Sequence, residues 1–103
     1  MYSVYFAKSL KNNKIYVGLT SKDPRIRIIE HNNGSNAWSK QNRPFELVYF
    51  ESYVCKEDAM NREKFYKSGL GKQIKYAIVK TVSAMSQRPS GPWPKGRPAP
   101  GRG

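Results

Sequence analysis

Tyr2-Ser3-Val4-Tyr5-Phe6-Ala7 and Ile15-Tyr16-Val17-Gly18, separated by the polar run Lys11-Asn12-Asn13-Lys14, decide how this chain begins to fold. Both apolar stretches are short and rich in β-branched and aromatic residues, which suit a pleated, half-buried surface better than a helix. The Asn-rich segment between them tolerates the tight reversal of a turn. The spacing therefore predicts a β-hairpin opening an α+β domain.

Outward from the hairpin, the helix signals are equally local. Asp23-Pro24 places an N-cap before a proline at the first helical position, where its missing N–H costs nothing, and predicts a helix over residues 25–31. Asn32-Asn33-Gly34 ends it with a left-handed exit signal. Residues 35–44 read as a polar loop carrying Trp38 and closing at Arg43-Pro44. Phe45-Glu46-Leu47-Val48-Tyr49-Phe50-Glu51 reads as a third strand. A second helix is expected over residues 56–67, with Glu57 and Asp58 in its first turn where the dipole favours them. Ser68-Gly69 breaks it, and a third helix over residues 71–80 carries the apolar stripe Ile74, Ala77, Ile78. The expected architecture is a small three-stranded, mainly antiparallel sheet covered by about three helices in the order ββα-β-αα.

Composition changes after about Val82. Residues 83–103 hold five of the seven prolines, four glycines and four basic residues, with no acid. Such a segment cannot bury a core, so the expected division is a folded domain at 1–82 and a disordered, basic Pro/Gly/Arg-rich tail at 83–103. The whole chain carries 19 Lys and Arg against seven Asp and Glu, a net charge of +12. Removing the tail's four charges still leaves +8 on the domain. A balance this basic points to an extended polyanion, DNA or RNA, with an anionic membrane surface as the lesser option. No apolar run reaches the roughly 20 residues of a membrane span, and the N-terminus has no signal-peptide pattern. The expectation is a cytoplasmic protein without a membrane partner. Cys55 stands alone, so it forms no internal disulfide and no zinc site by itself, and reads as a semi-buried small hydrophobe.

Three features carry chemistry. Tyr5 and Tyr16 sit on the two strands of the expected hairpin. Arg27 and His31 are spaced i,i+4, so they share a helix face. Glu63 shares a face with Ala59 and Tyr66 and is expected to point partly inward. No helical i,i+3 or i,i+4 pair of acids forms a two-metal cluster near a histidine, and Glu46 and Glu51 fall on opposite faces of their strand. A two-carboxylate hydrolase or a two-metal nuclease is thereby disfavoured. No Gly-rich phosphate loop or Ser/Cys nucleophile motif is present, and no small-molecule cofactor is expected.

Taken in order, these residues resemble the GIY-YIG nuclease superfamily. Ser3-Val4-Tyr5 occupies the place of "GIY", and Tyr16-Val17-Gly18 that of "YIG". The run from Arg27 to Gly34 looks like the family's Arg-x-x-x-His helix and its exit. Arg43-Pro44-Phe45-Glu46-Leu47-Val48-Tyr49 is similar to the third strand of small single-domain members. Residues 58–69 resemble the metal-glutamate helix. The likeness spans about residues 2–80 and is nearest the small subgroup related to the N-terminal nuclease domain of the excision-repair incision subunit. Ser3 replaces a glycine, Val4 and Val17 replace isoleucines, and Leu19 stands where some relatives carry a lysine.

The resemblance implies a Mg²⁺- or Mn²⁺-dependent endonuclease acting on DNA, single-stranded or branched rather than a defined duplex sequence. Glu63 would hold the metal together with waters and substrate phosphate oxygens. Arg27 would clamp the scissile phosphate. Tyr5, Tyr16 or His31 would serve as general base, a choice the sequence leaves open. Nucleic-acid contacts are expected from Lys14, Lys22, Arg25, Asn32, Asn36, Trp38, Lys40, Arg43 and Lys67. The alternative is a non-catalytic nucleic-acid-binding accessory module with the same fold; a basic protein-interaction domain is a third reading.

Overall fold

The computed structural model describes residues 1–86. Strand β1 spans Tyr2–Ser9 and β2 spans Ile15–Thr20. Helix α1 covers Pro24–Asn32 and α2 Ala37–Asn42. Strand β3 runs Phe45–Tyr53, followed by α3 over Lys56–Lys67 and α4 over Gly69–Ser86. The strands form one antiparallel sheet in the order β2-β1-β3. β1 is therefore central, which is why its burial is nearly continuous while β2 and β3 are half-covered.

The alternation of side chains gives the sheet two faces, each with its own core. One face presents Val4, Phe6 and Ile15, which pack with Ala59 and Tyr66 of α3 and Ile78 and Val79 of α4. The Tyr66 ring meets Phe6 edge-on with centroids 4.8 Å apart. The other face presents Tyr5, Ala7, Tyr16 and Phe45 to Ile28 of α1. A register shift between Phe6 and Ala7 against β3 adjusts the alternation part-way along.

The expected element order stands, with two differences. Residues 37–42 form a short helix rather than a loop: the Asn36 side chain caps it by accepting from the Ser39 N–H at 2.8 Å. Among the described residues four helices thus accompany the sheet instead of three. Six residues give too little periodicity for a helix to be recognised in sequence, and this one is held by its packing. The last helix begins at Gly69 and continues to Ser86, into the first residues of the segment read as a tail; residues 87–103 of that segment lie outside the described residues. α1 has the expected Asp23 cap, which accepts from the Arg25 N–H at 2.9 Å, and its exit passes through Gly34 at φ +75°. Cys55 is exposed rather than semi-buried. Among the described residues no helix is long and apolar enough to cross a membrane.

Candidate active site

On the α1 face, Tyr5 lies directly opposite Gly18 across the β1–β2 ladder. A Cβ at position 18 would clash with both Cζ and the hydroxyl oxygen of Tyr5, so the glycine leaves the space that the tyrosine occupies. The Tyr5 hydroxyl is 3.0 Å from His31 Nε2. On the other side of that ring, His31 Nδ1 is 3.0 Å from Ser39 Oγ. Tyr5 is 5% exposed, His31 4% and Ser39 fully buried, so this hydroxyl–imidazole–hydroxyl chain is shielded from bulk water.

Burial sets the protonation of the chain. It pushes the Tyr5 phenol up, although the nearby Arg27 guanidinium draws it back. It pushes His31 down, with Arg27 adding to the effect, so the imidazole is neutral near pH 7. A neutral ring has one donor and one acceptor nitrogen. When the Tyr5 O–H donates to Nε2, Nδ1–H donates to Ser39, the tautomer that leaves His31 ready to accept the phenol proton.

Arg27 is 2.8 Å from Glu30, and Glu30 also binds Lys22 at 2.6 Å, so the guanidinium is held but only partly neutralised. Tyr16 donates to Asn42 Oδ1 at 3.2 Å and packs edge-on against Trp38, with centroids 4.8 Å apart. Trp38 stacks on Phe45 and keeps 37% of its surface exposed. Tyr5, Tyr16, Arg27, His31, Asn36 and Trp38 line one cleft of about 440 Å³ at the edge of β2. The far side of the same cleft is lined by Lys67, Lys72 and Lys75 from α3 and α4.

Glu63 approaches from the α3 side. Its side chain is 23% exposed and its Oε2 accepts from Lys67 Nζ at 3.1 Å. It is not among the residues lining the cleft, yet its charge is felt at the Tyr5 phenol. Among the described residues no group of three His, Cys, Asp or Glu could cage a metal ion. A single half-buried carboxylate at the cleft margin fits a hydrated divalent cation completed by waters and phosphate oxygens, not an ion held by protein alone.

The remaining expected contacts divide. Lys67 joins Asn36 and Trp38 at the cleft. Lys14, Lys40 and Arg43 are exposed, with Arg43 donating to the Asn32 carbonyl at 3.3 Å. Lys22 and Arg25 are engaged with Glu30 and Asp23. Asn32 uses both ends of its amide on the Phe45 backbone, its Oδ1 accepting at 2.6 Å and its Nδ2 donating at 3.0 Å, so it anchors β3. Sequence reasoning missed Ser39, Asn42, Lys72 and Lys75. Ser39 and Asn42 belong to the unrecognised α2, and the two lysines looked like an ordinary solvated helix face.

The sequence profile of the GIY-YIG catalytic domain matches residues 1–77. The chain belongs to the GIY-YIG catalytic domain family. Among its relatives, a UPF0213 protein of Staphylococcus saprophyticus is 43% identical over 77 residues, covering 74% of this chain and 90% of its own. A UPF0213 protein of Staphylococcus epidermidis is 44% identical over 61 residues, 58% of this chain and 72% of the relative. UPF0213 protein YazA of Bacillus subtilis is 36% identical over 64 residues, 61% and 64% of the two chains. No solved structure matches the chain. A GIY-YIG domain is a nuclease-type, nucleic-acid-binding fold whose members generally use a divalent metal, and the small GIY-YIG family of the UPF0213 proteins is where this chain sits.

Proposed function

We propose that this chain is a Mg²⁺-dependent endonuclease that hydrolyses DNA phosphodiesters, with single-stranded or branched DNA, such as repair intermediates, as its substrate and the cytoplasm as its location. The observation that carries this reading is the buried Ser39–His31–Tyr5 chain opening beside Arg27 into one cleft. Tyr5 takes the proton of the attacking water and passes its own to His31 Nε2, while Ser39 holds the imidazole in the accepting tautomer. Neutral His31 makes this route easier than a free phenolate, which burial disfavours. Arg27 binds the scissile phosphate with its fork of donors. Tyr16, whose hydroxyl is tied to Asn42, shapes the cleft with Trp38, on which an unpaired base can stack. Glu63 would hold Mg²⁺ or Mn²⁺, which when bound stabilises the leaving oxygen and the charge developing at phosphorus.

Purified protein with Mg²⁺ or Mn²⁺ is expected to cut single-stranded, nicked or branched DNA, and EDTA is expected to stop it. Tyr5→Phe and His31→Gln should each lose about 10²–10⁴ in rate, and Tyr16→Phe less. Glu63→Gln should abolish cleavage while keeping binding. The ion pair of Glu63 with Lys67 favours a second reading, a nucleic-acid-binding module in which this carboxylate is structural. Intact DNA under all these conditions, with salt-dependent binding indifferent to Glu63, would establish that reading instead.

A further inference from the structure

Lys75 is 6% exposed and belongs to α4, yet among the described residues no acid pairs with it. Its ammonium reaches the Ile15 carbonyl at 3.4 Å and lies 4.7 Å from the Tyr76 ring centroid. Those contacts satisfy little of a group with three donors and a full charge. The ion pairs among the described residues join Asp23, Glu30, Glu51 and Glu63 to other cations, and none involves Lys75 or Lys72. Lys72, one turn earlier on the same helix face, adds a second positive charge instead of relieving the first. Burying a cation without a counter-ion is costly, and adding a like charge beside it raises the cost. An anion held against this face would give both ammonium groups an acceptor.

The cleft supplies its place. Lys72 and Lys75 line the same cavity as Arg27, from the other side of the sheet edge. Ile15, whose carbonyl Lys75 touches, faces the α3 and α4 core, whereas Tyr16 and Tyr5 face α1. β2 is an edge strand, so the cavity wraps around an open margin of the sheet with a cationic wall on each side. We propose that Lys72 and Lys75 form a second anion subsite that takes a backbone phosphate flanking the one held by Arg27, so that the bound strand crosses the β2 edge from α1 to α4. The anion being a nucleic-acid phosphate rests on the proposed binding of nucleic acid at this cleft; the case for an anion rests on Lys75 itself.

The test uses the full chain with a fluorescein-labelled oligothymidylate in EDTA, where no cutting occurs, and follows affinity against salt. Each phosphate contact on a single strand contributes a slope of about −0.7 in log affinity against log salt. Lys75→Met removes the charge and keeps the stem, and Lys72→Gln removes its neighbour's. The double variant is expected to flatten the slope by roughly 1.4, and Lys80→Gln, an exposed lysine further along α4, to change it far less. Lys75→Met should also melt at or above the wild-type temperature, because an uncompensated buried charge has gone. A double variant with wild-type affinity and slope overturns the proposal, as does a fall in melting temperature of Lys75→Met with binding intact, which would make the lysine structural. Failure of the wild type to bind the oligonucleotide overturns it too. Cleavage measured separately in Mg²⁺ distinguishes the two readings: a flattened slope in a protein that never cuts keeps the subsite and removes the nuclease, and the converse removes only the subsite.

Discussion

Position 18 is a glycine because the Tyr5 phenol occupies the space a side chain would need. Gly18→Ala forces either the ring or the edge strand to move, an overpacking cost of about 1–3 kcal/mol. If the ring moves, its hydroxyl leaves His31. Cleavage should then fall nearly as far as in Tyr5→Phe while a urea melt still reports a folded domain. In the proposed mechanism His31 sets the pH dependence. Its folded pKa lies below the ordinary value because of burial and the Arg27 charge. The proton-accepting neutral form therefore persists to lower pH than in a free imidazole. Cleavage should rise with pH on the acid side and be flat above about pH 6.5. The same depression links to stability: the contribution is present above the unfolded value and lost as pH falls through the folded one. His31→Gln should remove the acid limb of the rate profile along with most of the rate.

At the scale of elements, β3 and α3 are joined by one carboxylate. Glu51 accepts from Tyr49 and Tyr53 at 2.7 Å each, from Arg62 Nε at 3.0 Å and from the Tyr66 hydroxyl. Its burial alone would raise its pKa, but the bonds from Arg62 and the three tyrosines outweigh that and hold it low. Tyr49 is pushed up to about 12, by burial first and then by its bond to Glu51. This cluster fixes the helix that carries Glu63 to the sheet that carries Tyr5. Glu51→Gln should destabilise the domain by about 2–3 kcal/mol in urea unfolding, since a charged acceptor is lost from several donors at once. The folded pKa is depressed, so this stabilisation exists above the unfolded value and disappears as pH falls through the folded one. Acid melts of wild type and Glu51→Gln should converge at low pH. Gly71 plays a different part between α3 and α4. A Cβ there would strike the Phe65 carbonyl, so only glycine lets α4 turn back closely enough to bring Lys72 and Lys75 to the cleft.

For the whole molecule, charge and core are separable. The two cores close within residues 2–79, whereas the positive charge extends along the chain to Arg102. Removing residues 87–103 takes away four positive charges and leaves all residues of both cores in place. The truncated chain should melt within a degree or two of the full one, and bind single-stranded DNA more weakly at low salt with the difference vanishing as salt rises. A large drop in melting temperature would mean that the segment packs on the domain.

The hairpin, the Asp23-Pro24 helix start, the third strand and the face shared by Ala59, Glu63 and Tyr66 were all legible in the sequence, because each depends on neighbours no more than a few residues apart. Side-chain alternation and helical periodicity are local properties, and so is a cap. The candidate site was legible only as a set of names. Which tyrosine meets His31 depends on the pairing of Tyr5 with Gly18 and on a six-residue helix too short to show a period, whose Ser39 completes the chain from 34 positions away. That Lys75 is buried without an acid, and that Glu63 is held by Lys67 at the margin rather than in the cleft, follows from how α3 and α4 meet the edge of the sheet. Through-space proximity between distant segments, and the loss of water that comes with it, is what only tertiary packing decides.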